Sequence, residues 1–112
     1  MAKPLFKNYN FQFDKNEKKV LVTFCKSLLK QVSSDEKYYG EIKSFNAIID
    51  KLNAPSDEVK FTKEEKTKLV FNLNSNITEL KKRAGKGFFL TRWFYKSAYK
   101  QYEGILQKHF TN

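Results

Sequence analysis

Two copies of one helix-start pattern, 48 residues apart, constrain the fold of this 112-residue chain more than any other feature. Segments 13–22 and 61–70 share Phe, Lys, Glu, Lys, Leu and Val in register, at six of ten positions. In each copy a side-chain oxygen, from Asp14 or Thr62, can accept a hydrogen bond from a backbone N–H near a helix start. The Glu three residues later can bond back to the capping residue's own N–H. The duplication therefore predicts two similar halves, each opened by a capped helix.

From this repeat we predict one mostly all-α domain over residues 1–112, a four-helix bundle-like fold made of two similar helical hairpins. A chain of this length buries roughly two-thirds of its extended surface, which is enough for one core and too little for two independent ones. The predicted parts are an N-terminal aromatic arm (1–12), a first helical hairpin (13–53), a connection (54–60) and a second helical hairpin (61–110).

Apolar side chains at steps of three and four residues place the helices. Helix one is predicted from about Lys15 to Val32, with Cys25 on its apolar stripe as a buried, unreactive thiol. A cap at Ser33 starts helix two, and Pro55 ends it because proline disfavours helix at the residue before it. Helix three is predicted over about 63–82 and helix four over about 88–110. The predicted seam of helix two consists of Tyr38, Ile42, Phe45, Ile49 and Leu52.

A short extended segment precedes each capped helix. Tyr9, Phe11 and Phe13 alternate with polar residues, and Val59 and Phe61 do the same before the second cap. Alternation with a period of two is typical of a half-buried strand, so the two segments could pair with each other. The same residues are compatible with two irregular leads into the helices.

The formal net charge of +10 is the strongest compositional indication of function, because a positive surface raises affinity for phosphate-rich partners. Residues 66–112 carry ten Lys or Arg against two acidic residues. Only two of the 22 basic residues are Arg, whereas hydrogen bonding to the edges of nucleic-acid bases favours Arg.

Three features of the sequence favour a cytoplasmic protein. They are the single Cys, the absence of a long apolar run and an N-terminus without an apolar signal segment.

A basic turn and a row of cations form the candidate nucleic-acid-binding site. The row repeats every four residues, so like charges stack along one side of helix four and repel one another. The alternative is a solvated face in a Lys-rich protein, since charge runs are weak motifs. The turn is not a phosphate-binding loop, because it lacks the spaced first Gly and the hydroxyl residue after Lys. The candidate residues are Lys81, Lys82, Arg83, Lys86, Arg92, Lys96 and Lys100.

An aromatic patch lies beside these cations. Phe89, Leu90 and Trp93 project away from the apolar stripe of helix four, so something is expected to cover them. We expect the aromatic arm to do so, because monomers seldom leave large apolar patches exposed. The alternative is an open contact site for a protein partner.

Enzymatic chemistry is not expected. The only His, His109, lies near the end of the sequence, and the only Cys, Cys25, lies on the apolar stripe of helix one, so the two are not expected to form a catalytic pair. No cluster of metal ligands, cofactor motif or small-molecule substrate site is evident. Tyr38 and Tyr39 are expected to be core aromatics.

No family resemblance is recognised. The leading hypothesis is a basic, non-enzymatic module that binds a polyanion, most simply nucleic acid, through phosphates. The alternative is a protein-interaction, adaptor or inhibitor module with an acidic partner, and a membrane surface is a third, less favoured, partner.

Overall fold

The computed structural model of this chain describes residues 9–32, 36–85 and 89–110, and the side chains of residues 9, 89–91 and 94 are outside that description. The predicted mostly-α class with four helices is confirmed. The elements in chain order are β1 (Tyr9–Phe11), α1 (Lys15–Val32), a 3₁₀ turn (Glu36–Tyr38), α2 (Tyr39–Asn53), β2 (Val59–Phe61), α3 (Lys63–Ala84), α4 (Phe89–Ile105) and a π-helical turn (Leu106–Phe110).

Both predicted capping boxes are present with the same pair of hydrogen bonds. The Glu17 N–H donates to Asp14 Oδ1 at 2.7 Å, and Glu17 Oε1 accepts from the Asp14 N–H at 2.9 Å. The Glu65 N–H donates to Thr62 Oγ1 at 3.1 Å, and Glu65 Oε1 accepts from the Thr62 N–H at 2.9 Å. Each box satisfies helix-terminal donors that have no partner within the helix. These local bonds explain why α1 and α3 begin where the sequence predicts.

The two extended segments form an antiparallel ribbon, as the alternation allowed. Phe11 faces Val59 in this ribbon, and the two residues are equivalent positions in the two sequence copies, 48 residues apart. The rings of Phe11, Phe13 and Phe61 lie on the buried side, with centroids 5.5 to 6.2 Å apart. A two-stranded ribbon is stable only when packed on other elements, and this aromatic cluster supplies the packing. The superposition of the two predicted hairpins stays a prediction.

The predicted start of helix two is wrong. Ser33 lies outside the described residues, and α2 begins at Tyr39 after the 3₁₀ turn, with Tyr38 as a cap residue that makes no side-chain capping bond. Tyr39 is 64% exposed and is not a core aromatic. Ile48, absent from the predicted seam, is fully buried. Burial of an apolar stripe, not capping, therefore determines where α2 lies.

The chain divides into two compact units, Met1–Lys68 and Leu69–Asn112, with the boundary inside α3. In the first unit α1 packs along α2, and the ribbon adds its aromatic face. This unit contains the starts of both sequence copies. Its buried apolar residues are Phe11, Phe13, Leu21, Phe24, Cys25, Phe45, Ile48, Ile49, Leu52, Val59 and Phe61.

The second unit has a smaller set of buried apolar side chains. Leu69, Leu73 and Ile77 recur every four residues along α3, and Ile105 and Leu106 lie where α4 passes into the π-helical turn. α3 ends two residues later than predicted, beside Gly85, whose N–H donates to the Lys81 carbonyl at 3.2 Å.

Replacing Glu65 with Ala should destabilise the fold by about 1 to 3 kcal/mol. The buried carboxylate accepts from the Thr62 N–H and also from Lys51 Nζ at 2.5 Å, so its removal takes away a capping bond and a charge-assisted hydrogen bond together. Urea unfolding measures the change. The matched control is Glu64→Ala, because Glu64 is exposed and pairs with Lys68 only at the surface; its effect should stay within about 0.5 kcal/mol. Equal effects of the two substitutions would contradict this account.

Cys25 should be unreactive in the folded protein. The side chain is fully buried, as predicted, and burial raises the pKa of its thiol from 9.0 to about 12. Thiol labelling at about pH 8 should therefore be far slower in buffer than in urea. Because only the unfolded thiol ionises between about pH 9.0 and 12, stability should fall across this window. The fall should be shallower in Cys25→Ala, and equal labelling rates in buffer and urea would exclude the burial.

Candidate functional site

The two sides of α4 differ in exposure and in chemistry. Tyr95, Ala98, Tyr99 and Tyr102 are half-buried and Ile105 is buried, which confirms the predicted core-facing stripe of this helix. The helix surface outside this stripe is solvent-exposed and basic. Its residues with described side chains between 92 and 101 are Arg92, Trp93, Lys96, Ser97, Lys100 and Gln101.

The predicted cation row occupies this outer side. Arg92, Lys96 and Lys100 are exposed and lie about 6 Å apart along the helix axis, from the rise of about 1.5 Å per residue. We find no ion pair between these three side chains and any residue in the described part of the chain. Glu103 is the only acidic residue in α4. The row is therefore a line of three uncompensated positive charges, which we call the α4 cation row.

Two of the predicted site residues instead connect α3 to α4. Lys81 Nζ lies 2.8 Å from Glu103 Oε2 and 5.5 Å from the centre of the Tyr99 ring. The hydrogen bond to Glu103 raises the pKa of Lys81 above its usual value. Arg83 hydrogen-bonds Tyr95 and pairs with Glu79, Nε to Oε1, at 3.3 Å, and both contacts raise the pKa of Arg83. These contacts give the two residues structural partners that sequence reasoning missed. Glu103 and Tyr95 lie on another helix, whereas the four-residue spacing of Glu79 and Arg83 is a signal that the sequence contains.

Of the remaining predicted site residues, the structure describes some and not others. Lys82 is exposed in the last turn of α3, where a cation also suits the negative end of the helix dipole. Lys86 lies outside the described residues, as do the side chains of Phe89 and Leu90. Among the predicted site residues with described side chains, Lys82 and the α4 cation row therefore have no acidic partner within the described part of the chain.

Trp93 is 70% exposed, so the expectation that it is covered is wrong. At about 100° per residue it lies roughly 20° from Lys100 and 60° from Lys96 around the helix, next to the α4 cation row. Arg92, Lys96 and Lys100 are all exposed near the indole on this part of the helix. The outer side of α4 thus combines an exposed aromatic ring with positive charge.

Sequence reasoning missed a second basic row on α1. Lys19, Lys26 and Lys30 are exposed on one side of this helix, and the only acidic residue of α1, Glu17, is buried in the capping box. The seven- and four-residue spacing that indicates this row was present in the sequence. Thr23 and Ser27 lie between these lysines, so the α1 row carries no aromatic residue.

Two open grooves lie in the described part of the chain. One of about 320 Å³ in the second unit is lined by Ile77, Leu106 and the Lys81–Glu103 pair, with neutral polar side chains at its rim. The other, of about 370 Å³ in the first unit, lies beside the α1 capping box, where Lys18 Nζ donates to the Ser56 carbonyl at 2.6 Å. Within the described residues no three His, Cys, Asp or Glu side chains gather as a metal site. No helix in that part of the chain has the length and apolar content to cross a membrane.

Comparison of the chain with known proteins found no matching family model, curated protein or solved structure. The site is therefore interpreted from its own residues. Its defining features are the α4 cation row, Lys82 in the last turn of α3, and the exposed Trp93.

Replacing Glu103 with Gln should lower the pKa of Lys81 toward its ordinary value, because the hydrogen bond to Glu103 is the main cause of the increase. NMR titration of the Lys81 side chain measures the change. Glu79→Gln is the matched control: it removes a carboxylate that pairs with Arg83 and should leave the Lys81 pKa where it is. An unchanged Lys81 pKa in Glu103→Gln would show that the pair does not persist in solution.

Proposed function

We propose that this chain is a small cytoplasmic module without enzymatic activity that binds a polyanion, nucleic acid, through phosphate contacts. The observation that carries the proposal is the α4 cation row, three exposed positive charges with no ion pair among the described residues, while the one acidic residue of α4, Glu103, pairs with Lys81. Lys82, exposed in the last turn of α3, and Lys86 belong to the proposed site from their places in the sequence.

The energetics of the row favour a polyanion. Like charges four residues apart on a helix destabilise it by roughly 0.2 to 0.5 kcal/mol per pair, and a bound phosphate chain would relieve that repulsion. Each neutralised phosphate also releases counterions, so affinity arises from charge alone. Because the row contains one Arg and two Lys, bidentate base reading has little support, and binding should depend weakly on sequence.

The exposure of Trp93 favours a second candidate function, contact with an acidic protein partner. Tryptophan is enriched among the residues that dominate binding energy at protein interfaces. In this alternative Phe89, Leu90 and Trp93 form the contact, and the basic row provides charge complementarity. Binding through such a buried aromatic contact would be much less sensitive to salt than phosphate binding. An anionic membrane surface is the third candidate for the same side of the helix.

The test of the proposed site is a fourfold variant, Lys82→Gln, Arg92→Gln, Lys96→Gln and Lys100→Gln. Affinity for a mixed-sequence oligonucleotide should fall, and the slope of log affinity against log salt should flatten by about 0.7 to 0.9 per lost contact, or about 3 in all. Fluorescence anisotropy of a labelled oligonucleotide measures both. Stability should change by no more than about 0.5 kcal/mol per site, because all four side chains are exposed.

The matched control removes four positive charges from the first unit: Lys19→Gln, Lys26→Gln, Lys30→Gln and Lys43→Gln. These lysines are also exposed, so the change in net charge is the same and only its position differs. The control should retain most of the affinity. If it loses as much as the first variant, binding is diffuse and the proposed site is wrong. If the unmodified protein is not retained on nucleic acid at low salt, the polyanion proposal is wrong and the acidic protein partner takes its place.

A further inference from the structure

Trp93 differs from the other exposed large hydrophobic side chains of the described chain in what surrounds it. Phe71 is 67% exposed on α3, but its exposed neighbours along that side are the uncharged Asn74, Ser75 and Thr78. Tyr39 is 64% exposed at the start of α2, between residues of both charge signs. Trp93 alone among these three stands beside a continuous row of like charges.

The two basic rows of the chain provide an internal comparison. The α1 row and the α4 cation row each present three cations at helical spacing, so each can neutralise phosphates. Only the α4 cation row has an exposed aromatic ring beside it. A function that requires phosphate neutralisation alone gives no reason for that ring. A ligand that carries both phosphates and accessible flat aromatic groups does.

On the basis of the proposed function, we infer that the outer side of α4 binds single-stranded nucleic acid. Trp93 stacks on one unpaired base while Arg92, Lys96 and Lys100 follow the phosphates of the same strand. A positive surface that tracks the backbone, together with an aromatic side chain that receives a base, is the general means by which proteins bind single strands without reading sequence. Arg92 can also add a cation–π contribution to the stacked base.

The geometry of Trp93 disfavours a duplex. The indole projects from the convex outer side of a helix, almost opposite the side that carries Tyr95, and it is 70% exposed. In a duplex every base face is already stacked, so the ring could engage one only by opening a base step, and the cost of unstacking offsets the gain. An unpaired base is free to turn onto the ring. Stacking of this kind is worth about 5- to 150-fold in affinity per base.

The fluorescence of Trp93 tests the inference directly, because it is the only Trp of the chain. We expect oligo(dT) to quench the emission. A mixed-sequence duplex with the same number of phosphates and inorganic polyphosphate, which has no bases, should bind without comparable quenching. Equal quenching by the duplex, or no quenching by bound oligo(dT), would overturn the inference.

The second test compares Trp93→Leu with Trp93→Phe, read by the anisotropy of labelled oligonucleotides. Leu keeps an apolar side chain but cannot stack, so affinity for oligo(dT) should fall about 5- to 150-fold while affinity for the duplex and for polyphosphate stays the same. Phe should restore part of the loss, because it retains a flat ring. An equal loss for all three ligands, or no loss for any of them, would contradict single-strand binding.

Failure of the inference and failure of the proposed function give different results. Retention of oligo(dT), duplex and polyphosphate that depends on the α4 cation row but not on Trp93 would sustain the polyanion proposal and overturn the single-strand inference. Loss of retention on every nucleic acid at low salt would overturn both. Tighter binding to phosphatidylserine-containing vesicles than to oligo(dT), with blue-shifted Trp93 emission, would assign the surface to a membrane and overturn both as well.

Discussion

The carboxylate of Glu65 is the contact on which the first unit depends. It closes the second capping box by accepting from the Thr62 N–H, and it also accepts from Lys51 in the last turn of α2. One buried group thereby fixes the end of α2, the strand β2 and the start of α3 relative to one another. The buried Glu17 closes the equivalent box at α1. Because β1 and β2 lead directly into these boxes, their pairing and the aromatic cluster follow from the positions of the two helix starts.

The sequence predicts those features that depend on nearby residues. The capping boxes, the bounds of α1 and the burial of Cys25 need only the hydrogen bonds and apolar spacing of one segment, and all three are confirmed. The start of α2 depends on packing between segments, and there local capping signals gave the wrong answer. The burial of Ile48 was missed for the same reason. The seam predicted for α2 assumes that the helix packs against one neighbouring element, whereas α2 contacts both α1 and β2.

The candidate site likewise has some features that the sequence predicts and others that depend on packing between segments. The exposure of the α4 cation row follows from its position outside the apolar stripe, which helical periodicity gives directly. The α4 partners of Lys81 and Arg83 could not be predicted, because a contact between helices requires knowledge of which turns face each other. The Glu79–Arg83 pair has four-residue spacing within α3, which the sequence does contain. The cover expected for Trp93 rested on a general rule for large apolar patches, and the structure leaves this ring 70% exposed beside the α4 cation row.

The distribution of acidic residues explains why the positive charge points outward. In residues 69–112 the only acidic residues are Glu79 and Glu103, and both pair with cations of the last turns of α3. In the first unit Glu41 and Glu64 both lie near Lys68, and Glu17 and Glu65 close the capping boxes. Within the described part of the second unit, Glu79 and Glu103 pair with cations of α3, and no ion pair joins either of them to the α4 cation row. The charge left at that row is therefore a consequence of how the second unit uses its two carboxylates.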